Sequence, residues 1–173
     1  MIKIENINIK VMVDESPDTS YLGEYTDEWE SWVIVRKYDD YLENLPDETE
    51  IPLRGREYRF FKPYAGGEKP GSKNYQKYGM DDYRRMEGLA RGDWCFYGIM
   101  AEAEVSYPVG QGSRRLETLT SGGLWGVESD SGDYLRQVAD EELADLSLHL
   151  ETFGVDMSNF DELAEEALDK ADI

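Results

Sequence analysis

Carboxylates outnumber every other reactive group in this chain: 38 Asp and Glu stand against one histidine and one cysteine. His149 sits beside the apolar stripe of an expected helix, with no second histidine to share a metal. General-base work would need it in a pocket with an orienting partner, so a partly exposed helical histidine is the expectation. Cys95 lies in Trp94–Cys95–Phe96 within an expected strand. An aromatic setting disfavours the thiolate, and a buried structural thiol is expected there. The run Gly66–Gly67–Glu68–Lys69–Pro70–Gly71–Ser72–Lys73 has the glycines of a phosphate loop but the wrong order, Gly-Ser-Lys. Pro70 also removes a backbone donor that a phosphate cradle would use. Two acidic clusters, Asp14, Glu15 and Asp18, then Glu128, Asp130 and Asp133, lack EF-hand spacing: Gly132 in sixth place would put Val127 first and Val138 last. No dedicated metal site, cofactor or catalytic set is expected.

What arrayed carboxylates can do is bind. Carboxylates at i, i+4 on a helix rising 1.5 Å per residue lie roughly 6 Å apart, close to the phosphate spacing along one nucleic acid strand. On two expected helices Asp140, Glu141 and Asp145, followed by Glu162, Glu165, Glu166 and Asp169, lie opposite the apolar stripes, and Glu141–Asp145, Glu162–Glu166 and Glu165–Asp169 have that spacing. They are the candidate partner-binding face. The competing candidate is the basic, aromatic segment 54–78, where Arg54, Arg56, Arg59, Lys62, Lys69, Lys73 and Lys77 alternate with Tyr58, Phe60, Phe61, Tyr64, Tyr75 and Tyr78. Rings that stack bases beside cations that hold phosphates are the composition of a single-strand binder. The net charge of −20 opposes direct nucleic acid binding by long-range repulsion. Arg and Tyr equally serve protein contacts, so Arg56, Arg59, Tyr64 and Trp125 form the alternative contact set.

The elements that must position these residues are legible to different degrees. Residues 2–13 alternate imperfectly between apolar and polar, but Ile and Val enrichment favours a strand. Residues 14–20 form a turn cluster around Pro17. Ser31–Tyr38 is a second expected strand, Asp39–Glu50 an acidic connector, and Arg54–Phe61 a third strand. Pro63–Asn74 is expected to be loop, and Asp81–Leu89 a short helix with Gly92 as its stop. Trp94–Tyr107 is the clearest strand. A turn at Pro108–Ser113 returns the chain as a partner strand over 114–127, interrupted at Gly122–Gly123. From Asp133, Leu135, Ala139, Leu143, Leu146, Leu150 and Phe153 make one helix face, with Gly154 just beyond the end. Ser158 is the expected N-cap of a last helix, with Asp161 three residues on and Phe160, Leu163, Ala164, Ala167 and Leu168 as its apolar stripe.

Strands first and helices last predict an α+β fold, a mainly antiparallel sheet with a C-terminal helical pair packed on it. The length suits a single domain over 1–173, strand-rich over 1–127 and helical over 133–171. With 4 Trp, 12 Tyr and 5 Phe the chain is too aromatic for acidic disorder. Charge is segregated: residues 1–50 carry 14 acids and 4 bases, residues 51–120 carry 9 and 12, and residues 121–173 carry 15 and 2. No apolar run of about 18 residues predicts a membrane span. A lone cysteine and the lack of a secretory leader favour the cytoplasm.

Three stretches carry a resemblance: Pro17-Asp-Thr-Ser-Tyr-Leu-Gly-Glu-Tyr25, Phe61-Lys-Pro-Tyr-Ala-Gly-Gly-Glu-Lys-Pro-Gly71 and Thr120-Ser-Gly-Gly-Leu-Trp-Gly-Val-Glu-Ser-Asp130. They resemble small uncharacterised acidic proteins of bacteriophages and mobile elements. The resemblance implies an accessory gene of a mobile element, and a host-defence inhibitor of the anti-restriction or anti-CRISPR kind. It assigns no catalytic residue. Read from the residues, Gly122, Gly123 and Gly126 either fix strand ends around Trp125 or build a partner-binding rim there. The resulting expectation is a non-enzymatic acidic protein. It would bind a basic, nucleic-acid-binding host protein through the C-terminal helices and the 14–50 segment, by DNA mimicry. The alternative is an adaptor that oligomerises or binds through segment 54–78.

Overall fold

Ile2 and Ile4 have one parity along the first strand, and Ile7, Ile9 and Val11 have the other. A single bulge reconciles them. Strand β1 (Ile2–Val13) runs antiparallel to β5 (Phe96–Gly110), pairing Ile4 with Val105 and then Asn6 with Glu104, so Glu5 is the extra residue. A bulge of this kind shifts side-chain parity by one. Both halves of the strand thereby turn their isoleucines to the same face, and Ile4 and Ile7 are both buried. The imperfect alternation in the sequence is the signature of this insertion.

The computed structural model describes residues 1–35, 58–171 and 173. They fall into two compact units, one of residues 1–17 with 95–173 and the other of residues 18–94. Among the described residues the fold is α+β, with three α-helices and a mixed main sheet. Arg54, Arg56, the connector Asp39–Glu50 and part of the strands expected at 31–38 and 54–61 lie outside the described residues.

The larger unit is built on β1 and β5. Besides β1, β5 pairs antiparallel with β6 (Ser113–Thr120) and, further along the same edge, with β7 (Leu124–Glu128). A two-residue strand, β8 (Val155–Asp156), pairs parallel with β1 and makes the sheet mixed. β5 continues through Pro108 to Gly110, so the hairpin turn is tighter than the Pro108–Ser113 turn expected. It is formed at Gln111 and Gly112, both with positive φ, as a two-residue hairpin demands. Helix α2 (Asp133–Thr152) and helix α3 (Phe160–Lys170) share a core with β1 and β5: Ile4, Ile7, Ala101, Ala103 and Val105 meet Leu143, Leu146, Leu150, Ala164 and Ala167. Each fully buried leucine stabilises the fold by about 1.5–3 kcal/mol. The expected stripe of α2 is buried except Phe153, which caps the helix and stays exposed. Val138 and Glu142 are buried as well.

Ser158 is not the N-cap of α3. Asn159 holds that position without a side-chain cap bond, and the Ser158 N–H donates to Asp156 Oδ1 at 3.1 Å. The parallel bridge of Val155 and Asp156 to β1 keeps the chain extended there and delays the helix.

The smaller unit, residues 18–94, carries a three-stranded antiparallel sheet in the order β2 (Gly23–Thr26), β4 (Phe60–Pro63), β3 (Ile34–Val35). Phe61 is its buried centre, edge-on to Tyr25 and tilted against Tyr83. Helix α1 (Lys73–Arg91) is 19 residues long, twice the expected Asp81–Leu89, and it starts inside the segment expected to be loop. Its N-cap is Ser72, whose Oγ accepts the Tyr75 N–H at 3.0 Å. Gly79 hides the helix in the sequence because glycine usually interrupts one. Here it is a packing site: a Cβ at Gly79 would stand 2.9 Å from Pro63 Cγ. Trp94 belongs to this unit and not to the strand. Its indole N–H donates to the Arg85 carbonyl at 2.9 Å, and the Arg85 guanidinium lies 3.6 Å from the ring centroid.

Candidate functional site

The larger unit holds 21 acids against 6 bases, a net of −15, whereas the smaller holds 17 against 12, a net of −5. Acidity is therefore concentrated on the unit that carries α2 and α3. All seven carboxylates of the candidate face are exposed: Asp140, Glu141 and Asp145 on α2, and Glu162, Glu165, Glu166 and Asp169 on α3. Both helices bury their opposite sides in one core, which commits these groups to solvent. Neutralisation is sparse. Glu166 pairs with Lys170 at 2.9 Å, one turn on, and Glu141 accepts from Gln137 Nε2 at 2.9 Å. Among the described residues, no other member of the seven makes an ion pair.

The spacing works against helix stability. Glu141–Asp145, Glu162–Glu166 and Glu165–Asp169 are like-charge pairs at i, i+4, and Glu162–Glu165 and Glu166–Asp169 at i, i+3. Each such pair destabilises a helix by about 0.2–0.5 kcal/mol. Asp133 in the first turn of α2, Asp161 and Glu162 in the first turn of α3 and Lys170 in its last turn complement the helix dipoles.

The members of the competing contact set are divided between the two units. Arg56 lies outside the described residues. Arg59 is exposed, and its backbone N–H donates to Asp27 Oδ1 at 3.2 Å. Tyr64 is 53% exposed in the smaller unit, and Trp125 is 51% exposed in the larger. Trp125 lies flat over Gly98 of β5: a Cβ on Gly98 would fall 2.3 Å from the ring. Between Tyr97–Val127 and Ile99–Leu124 the ladder gains one residue on β7, and Gly126 there has a φ of 76°. This bulge points the indole out of the ladder, beside a hollow of about 290 Å³ lined by Leu124, Trp125, Val127, Ser131 and Tyr134.

The remaining candidates have structural roles. His149 is exposed, and its Nδ1 lies 3.2 Å from the Thr120 carbonyl. Cys95 is half-buried, more accessible than the buried thiol expected, and its N–H donates to Ser129 Oγ. Asp14 accepts from the Ser16 N–H and Asp18 from the Ser20 N–H, both closing tight turns. The Ser20 N–H holds the Asp18 carboxyl below the usual carboxylate range. Among the described residues, no three Asp, Glu, His or Cys side chains group closely enough to hold a metal ion. No described helix is long and apolar enough to cross a membrane.

The glycine loop is wired inward. Ala65, Gly66 and Gly67 take left-handed φ values of 52°, 62° and 77°, and the Ala65 N–H donates to Asp82 Oδ2 at 2.7 Å. Ala65 is fully buried. Asp82 therefore fastens a backbone turn that a non-glycine residue adopts only at a cost. Sequence reasoning gives Asp82 only a place in the first turn of a helix starting at Asp81, as a complement to its dipole; the helix starts at Lys73, so Asp82 lies in its interior. Burial pushes the Asp82 carboxyl above its ordinary range, and Asp81 adds to this, while the Ala65 N–H pulls it back. Its charged form is thus disfavoured in the fold: the penalty is present at neutral pH and is relieved as pH falls through the raised value. In urea unfolding between pH 7 and pH 4, wild type gains stability relative to Asp82→Asn as the pH drops. Asp82→Ala strands the Ala65 N–H and costs about 1–3 kcal/mol.

No protein-family model, curated protein or solved structure matches this chain.

Proposed function

We propose that the chain is a non-enzymatic acidic binding protein whose exposed α2–α3 carboxylates engage a basic protein surface. The occupied surface is the nucleic-acid groove of a host-defence protein, in the manner of a DNA mimic. The observation that carries this reading is the seven exposed carboxylates at helical spacing, fixed on a buried leucine core, with one ion pair among them. Like charges held at i, i+4 break a local stability rule, and such violations without a structural gain mark functional surfaces. Of the acids in the 14–50 segment, Asp14 and Glu15 belong to the same unit as α2 and α3, those of 18–35 belong to the smaller unit, and those of 36–50 lie outside the described residues. Mobile-element context comes from the resemblance of the three quoted stretches.

The test is capture from host lysate on immobilised protein. The partner is retained at about 0.05 M salt and released near 0.5 M, where the Debye length shrinks from roughly 14 Å to 4 Å, and duplex DNA displaces it. A partner retained equally at both salts and indifferent to DNA overturns the reading.

The second reading, an adaptor working through segment 54–78, is favoured by the exposed rings of that segment, Tyr64 and Tyr78. Under it, substitution of Arg59 and Tyr64 abolishes capture while neutralising Asp140, Glu141 and Asp145 does not.

A further inference from the structure

Strand β6 is an open edge. Its inner side pairs with β5, and no described strand covers its outer side. Seven of its eight residues are exposed, and Leu116 is 54% exposed. An exposed eight-residue edge with an outward leucine is a template for strand pairing. The pairing direction follows from the ladder. The Ser121 N–H donates to the Ala101 carbonyl at 2.9 Å, so Ala101 and Ser121 are a hydrogen-bonded pair. Bonded and non-bonded pairs alternate in an antiparallel ladder. Leu119, Glu117 and Arg115 therefore bond inward to β5, while Thr120, Thr118, Leu116 and Arg114 turn their N–H and C=O outward. The Thr120 carbonyl, 3.2 Å from His149 Nδ1 of α2, is directed that way. Helix α2 thus closes the far end of the edge and leaves 113–119 open.

We infer that the open β6 edge is a homodimer interface, with two copies pairing antiparallel about a two-fold axis at Leu116. Charge decides both occupant and register. Centred on Leu116, Arg115 of each copy stands directly opposite Glu117 of the other, twice by symmetry. A centre at Glu117 would oppose two glutamates, and a centre at Arg115 two arginines. Opposite charges directly across a ladder stabilise it and like charges destabilise it. Within one copy the pair is loose: Arg115 Nε is 3.9 Å from Glu117 Oε1, which accepts from the Tyr107 hydroxyl at 2.8 Å, and both side chains are more than half exposed. Arg114 is already committed, donating to Ser106 Oγ at 2.8 Å and to the Ser106 carbonyl at 2.7 Å. Such a two-fold contact is self-complementary and closed.

This inference does not rest on the acidic-face reading, and salt separates them. Two copies each carrying −20 repel, so dimerisation strengthens from about 0.05 to 0.5 M salt as that repulsion is screened, whereas partner capture weakens. The experiment is light scattering together with cysteine trapping in a Cys95→Ser background. Mass doubles from 19.9 kDa with rising salt. Leu116→Cys cross-links to its symmetry mate, since paired Cα atoms about 5.5 Å apart fit a disulfide. Thr118→Cys does not, because its mate lies four residues along the strand, about 13 Å away. Arg115→Glu weakens the dimer about tenfold by replacing two attractive pairs with two repulsive ones. The double variant Arg115→Glu/Glu117→Arg restores it. A folded protein that stays at 19.9 kDa at every salt, cross-linking at Thr118 in place of Leu116, failure of the double variant to recover, or a host peptide held on the edge of a monomer in native mass spectrometry overturns the inference.

Discussion

Replacing Asp140, Glu141, Asp145, Glu162, Glu165, Glu166 and Asp169 by their amides weakens partner capture by about 100-fold or more, since close charge pairs at an interface each couple by about 1.5 kcal/mol or more. The same variant melts higher, by roughly 1–4 °C, because five like-charge pairs along α2 and α3 disappear, against the loss of one Glu–Lys pair and of the Glu162 charge at the N-terminus of α3. The two measurements together are diagnostic. A charge array retained for solubility alone would give the rise in melting temperature with no loss of capture. Calorimetry and a binding isotherm at fixed low salt check both halves, and unchanged affinity defeats the assignment of this face.

Leu146→Ala produces the largest loss of stability. Leu146 is fully buried where α2 meets β1, β5 and α3. Its truncation costs about 3 kcal/mol through lost transfer energy and the remaining cavity, a fall of roughly 6–12 °C in Tm for a chain of this size. Leu148→Ala, two residues on and 62% exposed, changes stability by about 0.5 kcal/mol or less. Equal effects at the two positions would mean that α2 does not dock by the Leu143–Leu146–Leu150 face. Where Leu146→Ala remains folded, it still binds the partner, because no carboxylate of the outer face has changed.

What could be read in advance depended on whether a local pattern had a competing tertiary cause. The α2 stripe was legible because apolar residues at 4-4-3-4-3 spacing admit one face, and Gly154 ends the helix with a φ of +70°. Helix α1 was half hidden, because Gly79 looks like an interruption. Its true reason, contact with Pro63, lies sixteen residues back along the chain. The two-residue parallel strand β8 leaves no periodic trace, and it is what displaced the start of α3. The seven carboxylates were legible as a face because exposure follows from the stripe opposite them. Asp82 and Glu142 were not. Their carboxylates bond backbone N–H groups of Ala65 and Gly123, at 2.7 and 2.8 Å, and nothing in one dimension distinguishes an acid that ties down a loop from one that faces water.

The bulge at Glu5 also sets the phase of the first strand. Without Glu5, residues 2–13 would read Ile, Lys, Ile, Asn, Ile, Asn, Ile, Lys, Val, Met, Val, a strict two-beat rhythm. One surplus residue is thus spliced into an otherwise regular pattern, and its carboxylate accepts from the Ser106 hydroxyl, which Arg114 also contacts. The surplus residue puts the two halves of β1 out of step by one beat in the sequence, and the bulge that absorbs it brings them back into phase. Loss of that beat leaves an unbroken ladder and forfeits only the Glu5–Ser106 tether. Gain of another would throw either Ile2 and Ile4 or Ile7, Ile9 and Val11 onto the wrong side of the sheet.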